Sequence, residues 1–415
     1  MSLRNMHAIF SGFQNNINLI VLVCVINSFS FPWPKEIGVV EALLAVALVF
    51  AFYKGYILLL YKLNLSYLFV LVFIMLFVIG VLSNPLGDVI RDMISYTYLG
   101  IPLAFYYKNR LFFKHVHKNS NYNDVIFLRF LVLFSCTGLL YSLRAIWPFI
   151  KTYGLDLSGI YKSQLFPHTD YIFLDPSLVF GASFICVYGI SKLKYNDFSI
   201  GLLYLILSLL IIAAPFFATI RAPVSMYVLI ALSAIIFTYK YKSLMLLPGI
   251  IIIIYLFSGL AENMLIKHNE VGGNAKIDEV VIIVNYMLEQ PIYNILFGSG
   301  FGSVYYSPIL ETYVRFSHNV FSYGFFKGGI ALLLVITVLF IWIVTSATVK
   351  LIRAFKVNDT LAFASLISFL ASFLISTLLE PGYKTLDFGL LMIVYVYFVF
   401  FRGVQRPSKM FVRVN

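Results

Sequence analysis

Long apolar runs, separated by short clusters of charge, proline and glycine, make up most of this chain of 415 residues. A helix needs about 20 apolar residues to cross the hydrocarbon core of a bilayer. Twelve runs approach that length, and the pattern therefore predicts twelve transmembrane helices. The predicted spans are 14–31, 37–61, 66–82, 88–107, 125–147, 176–191, 198–218, 222–239, 243–260, 318–346, 360–380 and 385–402.

The composition supports this interpretation. Hydrophobic residues make up 61% of the chain and charged residues 12%, whereas a soluble domain carries about 25% charged residues. One soluble core cannot hide so much apolar surface at this length. We therefore exclude a soluble enzyme, a disordered chain and a disulfide-stapled secreted domain, and we predict an all-α polytopic membrane protein with one integral membrane domain over 1–415.

The distribution of basic residues predicts the orientation. With twelve spans, both termini lie on one side, and the connections there carry 18 of the 30 lysines and arginines. Cytoplasmic loops are rich in these residues, so both termini are predicted to be cytoplasmic. The net charge of +12 is explained by this bias, and we predict no nucleic-acid partner. A lipid bilayer is the predicted surrounding of the spans.

Two long connections face the opposite, outward side, at 148–175 and 261–317. Loops longer than about 15 residues are usually functional, so the chemistry is expected on this face. No internal repeat is visible, although such a repeat is the usual mark of a transporter. The first loop contains Asp170, a candidate for binding substrate hydroxyls, and ends at Asp175-Pro176, which predicts a helix start.

Arg221 lies between two apolar runs at the predicted outer boundary, two residues before Pro223. It has two interpretations that the sequence leaves open. Its side chain is either an anchor that extends to the interface or a guanidinium that binds an anionic group, since its planar fork matches phosphate.

The end of the second loop carries the other candidates. Gly298, Gly300 and Gly302 alternate, which allows sharp turns or a close approach of the backbone to a partner. His318 enters the next apolar run and is a candidate general base near neutral pH, with an ordinary interfacial histidine as the alternative. Its neighbour Asn319, or Ser317, is expected to cap that helix.

Several signatures of other chemistries are absent from the sequence. The outward loops have no aspartate pair with metal-ligand spacing, and the chain has no HExxH, GxSxG or P-loop motif. We therefore predict an activity without metal or cofactor. The acidic residues near the outer face are expected to be mostly solvated; they include Glu41, Glu262, Glu270, Asp278, Glu279, Glu289, Glu311 and Glu380.

The combination resembles the O-antigen ligase and polymerase superfamily. Thr219-Ile220-Arg221-Ala222 is similar to its middle-span arginine motif, and residues 291–302 are similar to its glycine-rich motif. His318, Asn319, Gly328 and Gly329 match its late histidine motif, and the resemblance covers 176–346 best. The chain departs from the family at Lys276, where the family often has arginine, and in lacking a serine before Arg221.

The resemblance implies a GT-C-like glycosyltransferase that uses an undecaprenyl-diphosphate-linked glycan as donor. It also implies that the protein lies in the bacterial inner membrane with its active site facing the periplasm. It implies that Arg221 and His318 are catalytic, with the histidine as the base and the arginine on the diphosphate. The residues implied in binding the diphosphate or the glycan are Arg315, Lys276, Lys327, Asn319, Gly298, Gly300, Gly302, Asp170, Tyr305 and Glu311.

Three functions stay open at this point. A polymerase of the Wzy type is favoured, because Asp175-Pro176-Ser177 resembles an acid-Pro-Ser segment of polysaccharide polymerases. A ligase that transfers the polymer to the lipid A core is the first alternative. A transporter of lipid-linked glycans or drugs is the second, although few charges lie within the spans. For the polymerase, a chain-length regulator protein is an expected partner.

Overall fold

The computed structural model describes residues 3–29, 39–61, 65–116, 120–153, 175–194, 197–217, 221–240, 275–308 and 311–402. These residues are almost entirely helical. The first helices are α1 (Leu3–Phe29), α2 (Val39–Ala51), α3 (Tyr53–Tyr61), α4 (Leu65–Ser83), α5 (Leu86–Val116), α6 (Ser120–Tyr153), α7 (Pro176–Lys194), α8 (Phe198–Phe217) and α9 (Arg221–Tyr239).

The second half of the chain adds shorter elements and the one sheet of the described residues. These are α10 (Ala275–Leu288), α11 (Ile292–Phe297), the antiparallel strands β1 (Tyr305–Ser307) and β2 (Thr312–Val314), α12 (Val320–Val357), α13 (Thr360–Leu374) and α14 (Leu386–Val396). A π-helical turn follows α13 at Ile375–Leu379, a 3₁₀ turn occupies Pro381–Lys384, and a second π-helical turn, Tyr397–Phe401, ends the last helix.

Six helices in the described part of the chain are long and apolar enough to cross a membrane: Asp124–Trp147, Pro176–Lys194, Phe198–Phe216, Ala222–Tyr239, Val320–Val357 and Thr360–Leu379. Shorter apolar helices occur at Gln14–Phe29, Leu68–Ser83 and Leu386–Phe401. The all-α membrane class is therefore confirmed. The number of twelve spans and the side of the termini stay predictions, and the predicted span 243–260 lies outside the described residues.

The chain divides into two compact units. The first comprises Met1–Leu133, Ala275–Ala347 and Ser376–Arg402, and it contains the glycine-rich segment and His318. The second comprises Phe134–Asn274, Thr348–Ile375 and Gly403–Asn415, and it contains Arg221.

In the second unit α7 is the central helix and is buried along almost its whole length. Its start has the predicted form, because Asp175 Oδ1 accepts a hydrogen bond from the Ser177 amide at 2.8 Å and Pro176 opens the helix. Gly138 and Gly181 bring α6 and α7 together, since a side-chain carbon at either position would meet backbone atoms of the other helix.

In the first unit α12 reverses direction at Gly329, which has φ 61° and ψ −158°. Gly324 faces Ile336, and the rings of Phe321 and Phe340 lie 5.2 Å apart. A continuous helix would separate the two rings by about 28 Å. Residues 320–328 therefore fold back along residues 330–340 as a helical hairpin, and this reversal falls inside the predicted span 318–346.

We expect Gly329→Ala to destabilise the protein by about 1–3 kcal/mol, since only glycine tolerates this backbone conformation. A methyl group there would also lie 2.5 Å from the Leu296 carbonyl carbon. Thermal unfolding of the purified protein measures the effect. Gly87→Ala is the control, because a methyl group there meets nothing within 4 Å; equal melting temperatures for the two variants would contradict the prediction.

Candidate active site

His318 forms an oriented pair with a buried carboxylate. Its Nδ1 lies 2.8 Å from Oε2 of Glu279, and its backbone amide donates to the same oxygen at 3.1 Å. The hydroxyl of Tyr305 donates to Oε1 of Glu279 at 2.8 Å. The His318 side chain keeps 31% of its surface exposed. This arrangement resembles the carboxylate-oriented histidine bases of hydrolytic enzymes.

The environment of Glu279 favours its ionised form. Burial by itself would raise the pKa of this carboxyl group, but the hydrogen bonds and charge of His318 and the hydroxyl of Tyr305 outweigh burial and lower the pKa. An ionised carboxylate only accepts hydrogen bonds. Nδ1 of His318 is therefore the donor, and Nε2 of the neutral ring keeps its lone pair for a substrate proton.

The expectation that Glu279 is solvated is wrong, because this side chain is 7% exposed. A sequence signal for its burial exists. Glu279, Ile283 and Met287 recur every four residues of α10, which places them on one helix face. That face packs against Tyr305, Val314 and Phe326. Glu380 is likewise buried.

Two basic side chains belong to or contact the segment that precedes His318. Arg315 Nη1 lies 2.6 Å from Oδ1 of Asp88, and both side chains are partly exposed. Lys384 Nζ donates to the Arg315 carbonyl at 3.0 Å and lies 4.1 Å above the Tyr323 ring. No carboxylate of the described residues lies within ion-pair distance of Lys384. The adjacent Tyr383 hydroxyl donates to the Ser317 carbonyl at 2.7 Å, which fixes this turn against the segment before His318.

The charge of Lys384 is sensitive to its surroundings. Burial, reinforced by the positive charges of Lys327, Arg91 and Arg315, lowers the pKa of Lys384 to about 7, and the negative charge of Asp92 opposes the shift only in part. The ammonium group therefore loses its proton near neutral pH unless an anion binds beside it. Sequence reasoning missed Lys384, because nothing in the sequence marks Gly382-Tyr383-Lys384 as a neighbour of residues 315–318.

Lys327 was predicted to bind the diphosphate or the glycan, but the structure places it inside the protein. Its side chain is fully buried, with Nζ 2.6 Å from Oδ2 of Asp92 and 2.8 Å from the Ser303 carbonyl. The same Asp92 oxygen accepts the amide of Gly302 at 2.8 Å. Lys327 thus has its charge balanced inside the protein, and it positions the glycine-rich segment.

Gly298, Gly300 and Gly302 all have positive φ, at 79°, 74° and 81°. The close backbone approach predicted for them is confirmed: a side-chain carbon on Gly298 would overlap the Lys327 backbone, and one on Gly300 would overlap Gly80. All three are buried. The glycines therefore allow the loop to pack closely against other backbone segments of this protein.

The remaining candidates fall into three groups. Asn319 caps α12 as predicted, because its Oδ1 accepts the Phe321 amide at 2.8 Å. Tyr305 is buried and supports Glu279, while Glu311 is exposed with φ 50°. Asp170 and the side chains of Arg221, where α9 begins, and of Lys276, in the first turn of α10, lie outside the described residues.

The β1–β2 hairpin presents an aromatic pair. Tyr306 and Tyr313 face each other across the strands, and their ring centroids lie 5.5 Å apart. Both side chains are exposed, whereas the flanking Tyr305 and Val314 point into the core. Exposed aromatic faces of this kind are suited to packing against a sugar ring.

Among the described residues, no group of three or more histidine, cysteine, aspartate or glutamate side chains is arranged to hold a metal ion. Comparison with known proteins gave no match to any family model, curated protein or solved structure. The residues of the chain and their geometry are therefore the basis on which a function is proposed.

We expect Glu279→Gln to lower the melting temperature at neutral pH, because the variant loses the charged acceptor of the His318 and Tyr305 hydrogen bonds. The free-energy loss should be about 1–3 kcal/mol. A lowered folded-state pKa contributes stability above the ordinary carboxyl pKa, and this stability is lost as pH falls through the folded value. The difference in melting temperature between wild type and Glu279→Gln should therefore become smaller as the pH falls from neutral to about 3.

Asp278→Asn is the matched control, since this neighbouring carboxylate is exposed. Thermal unfolding across the pH series distinguishes the two. A constant gap for Glu279→Gln at all pH values would show that its carboxylate charge does not stabilise the fold.

Proposed function

We propose that this protein polymerises undecaprenyl-diphosphate-linked oligosaccharide repeat units into O-antigen or a related surface polysaccharide. The reaction takes place at the outer face of the bacterial inner membrane. The observation that carries the proposal is a partly exposed His318, oriented by buried Glu279, with Arg315 three residues before it and Lys384 bonded to the Arg315 carbonyl. A base beside cations is the set of groups that transfer from a sugar diphosphate needs.

In the proposed reaction, an acceptor hydroxyl attacks the anomeric carbon of the donor glycan. The bond from that carbon to the diphosphate oxygen breaks, and the lipid diphosphate leaves with the electron pair. His318 Nε2 takes the hydroxyl proton as the new glycosidic bond forms. Glu279 holds the ring in position and stabilises the imidazolium that results.

The developing charge on the diphosphate is neutralised by cations of this chain. Arg315 is partly exposed and can present two donors to a phosphate. Lys384 adds a second cation, because an anion bound beside it raises the pKa of the ammonium group and keeps it protonated. These groups supply the charge that a metal ion would otherwise supply, so we propose a metal-independent enzyme. Arg221 is a further proposed contact, on the strength of the motif resemblance.

The exposed tyrosine pair has a part in the same proposal. Tyr306 and Tyr313 lie on the strands that lead into Arg315 and His318. Their rings are proposed to pack against sugars of the donor or acceptor, which would hold the reacting hydroxyl near the base. Glu311, at the turn of the hairpin, is available for hydrogen bonds to sugar hydroxyls.

A gene-deletion strain complemented with His318→Ala tests the function. We expect loss of the polysaccharide ladder, with the lipid A core bearing a single repeat unit, because losing a general base costs roughly 10²–10⁴-fold in rate. A gel of surface polysaccharide measures this, and wild type and Thr312→Ala, an exposed hairpin position, are the controls.

The same gel distinguishes the alternatives. Bare core, with long polymer still on the lipid carrier, would identify a ligase in place of a polymerase. A normal ladder from stably expressed His318→Ala would remove this residue from the mechanism. A normal ladder in the deletion strain itself would exclude both enzymes and favour a transporter.

From the lowered pKa of Lys384 we expect the rate of glycan transfer by the purified protein to depend on pH. The rate should fall as pH rises through about 7, since the free enzyme then loses the ammonium charge. Lys384→Arg should abolish this fall, because a guanidinium stays charged. Lys384→Gln should lower the rate at about pH 6 by roughly 10–100-fold, which corresponds to the loss of one hydrogen bond to a charged group. The control is Lys192→Gln, which removes a surface ion pair and should leave the rate unchanged.

Transfer rates measured from about pH 6 to about pH 8.5 separate a charge effect from a structural one. If Lys384→Arg kept the wild-type pH profile, the ammonium group would not be the titrating cation.

A further inference from the structure

The helical hairpin of α12 places its first segment beside the outer part of a candidate membrane span. Phe321 contacts Phe340, which lies ten residues beyond Ile330, and Gly324 contacts Ile336. At 1.5 Å per residue, the start of the first segment is about 15 Å from the tip at Gly329. His318 immediately precedes that start.

The basic residues of α12 indicate which end of the span is the tip. Lys350, Arg353 and Lys356 lie at the far end of the second segment, where positively charged residues mark the cytoplasmic side. About 20 residues separate Lys350 from Gly329, which is the number that crosses the hydrocarbon core. The tip of the hairpin is therefore at the outer boundary of the membrane, and residues 320–328 extend inward from it.

A second marker of depth comes from α14. Gly389 packs against the Tyr98 carbonyl, and the Phe401 ring stacks on Tyr106 further along, so α14 and α5 run in parallel. Leu386, the first residue of α14, is thus level with about residue 95 of α5, roughly 13 Å from the first residue of α5. The turn that carries Lys384 therefore lies about as far along α5 from the first residue of that helix.

The non-helical backbone of residues 299–301 has its polar groups paired by hydrogen bonds. Irregular backbone is tolerated at membrane depth only where the protein satisfies its polar groups. The Ser299, Gly300 and Phe301 amides donate to carbonyls of Phe326, Lys327 and Leu76 at 3.1, 2.9 and 3.0 Å. The Asn84 side-chain amide donates to the Ser299 and Phe301 carbonyls at 3.1 and 2.9 Å.

Helix α11 carries the surface that remains. It has no buried residue, and Ile292, Tyr293, Leu296 and Phe297 are 69%, 62%, 41% and 47% exposed. The Leu296 backbone packs on Gly329, at the tip of the hairpin. The second segment of α12 also exposes apolar side chains, among them Leu334, Val338 and Ile341.

We propose that residues 320–328 form a re-entrant half-helix in the outer leaflet and that α11 lies on the lipid of that leaflet. The partner of the α11 surface is the boundary between lipid head groups and acyl chains, because the exposed side chains of Ile292, Leu296 and Phe297 are apolar and the helix lies at the level of the hairpin tip. Consequently the Glu279–His318 pair and Lys384 lie below the head groups, where a lipid-borne anion reaches them without leaving the bilayer.

Single cysteines measure the depth of α11 directly. The starting protein is the full chain in which the three free cysteines, Cys24, Cys136 and Cys186, are replaced by alanine. One new cysteine is then added in each variant: Phe297→Cys, Thr312→Cys or Leu334→Cys. Each variant is reconstituted in phosphatidylcholine–phosphatidylglycerol vesicles. Thr312 is an exposed polar position and Leu334 an exposed position of the span. The probes are a charged, membrane-impermeant maleimide and a bimane label quenched by nitroxides on the acyl chains.

We expect Phe297→Cys to react with the charged maleimide about tenfold or more slowly than Thr312→Cys, because an apolar surrounding raises the thiol pKa and excludes the reagent. Its bimane label should be quenched by acyl-chain nitroxides to the extent seen at Leu334→Cys. Reaction at the Thr312→Cys rate, without quenching, would overturn the proposal. Tyr293→Cys provides a second site on α11 if Phe297→Cys does not fold. The labelling needs no catalysis, so failure of the proposed function would leave this result intact.

Discussion

The buried ion pair between Asp92 and Lys327 is the interaction on which the first unit depends. It connects α5 with the first segment of α12, and through the Gly302 amide it also holds the glycine-rich loop. Removal of one partner from a buried pair costs about 3–5 kcal/mol, since the other charge is left unpaired. The pair therefore fixes α5, the first segment of α12 and the glycine-rich loop to one another.

The candidate site combines a carboxylate–histidine pair with two basic side chains. Oε2 of Glu279 lies 2.8 Å from Nδ1 of His318, and the pKa of this buried carboxyl group is lowered. Lys384 donates to the carbonyl of Arg315, three residues before His318, and burial and neighbouring positive charges lower the pKa of Lys384. These contacts are the basis of the proposal that a base and an anion site act together in transfer from a lipid-borne diphosphate.

Local features were predictable from the sequence because their causes are local. The cap by Asn319, the helix start at Asp175-Pro176 and the need for glycine at 298, 300 and 302 each follow from the backbone of a few neighbouring residues. Glu279 was missed although its position on the apolar face of α10 was visible in the periodicity. Lys384 and Asp92 were not predictable, since their partners lie 69 and 235 residues away in the chain.

The sequence by itself determined that this is an all-α membrane protein, because apolar runs of this length are stable in lipid and not in water. It also predicted His318 and its neighbours as candidate site residues. The tertiary structure alone decided that α12 turns back at Gly329, that Glu279 faces the histidine, and that Lys327 pairs with Asp92 whereas Lys384 binds the Arg315 carbonyl. The reason is physical: pairing, burial and depth are relations between distant segments, and they are set by packing and not by the order of residues.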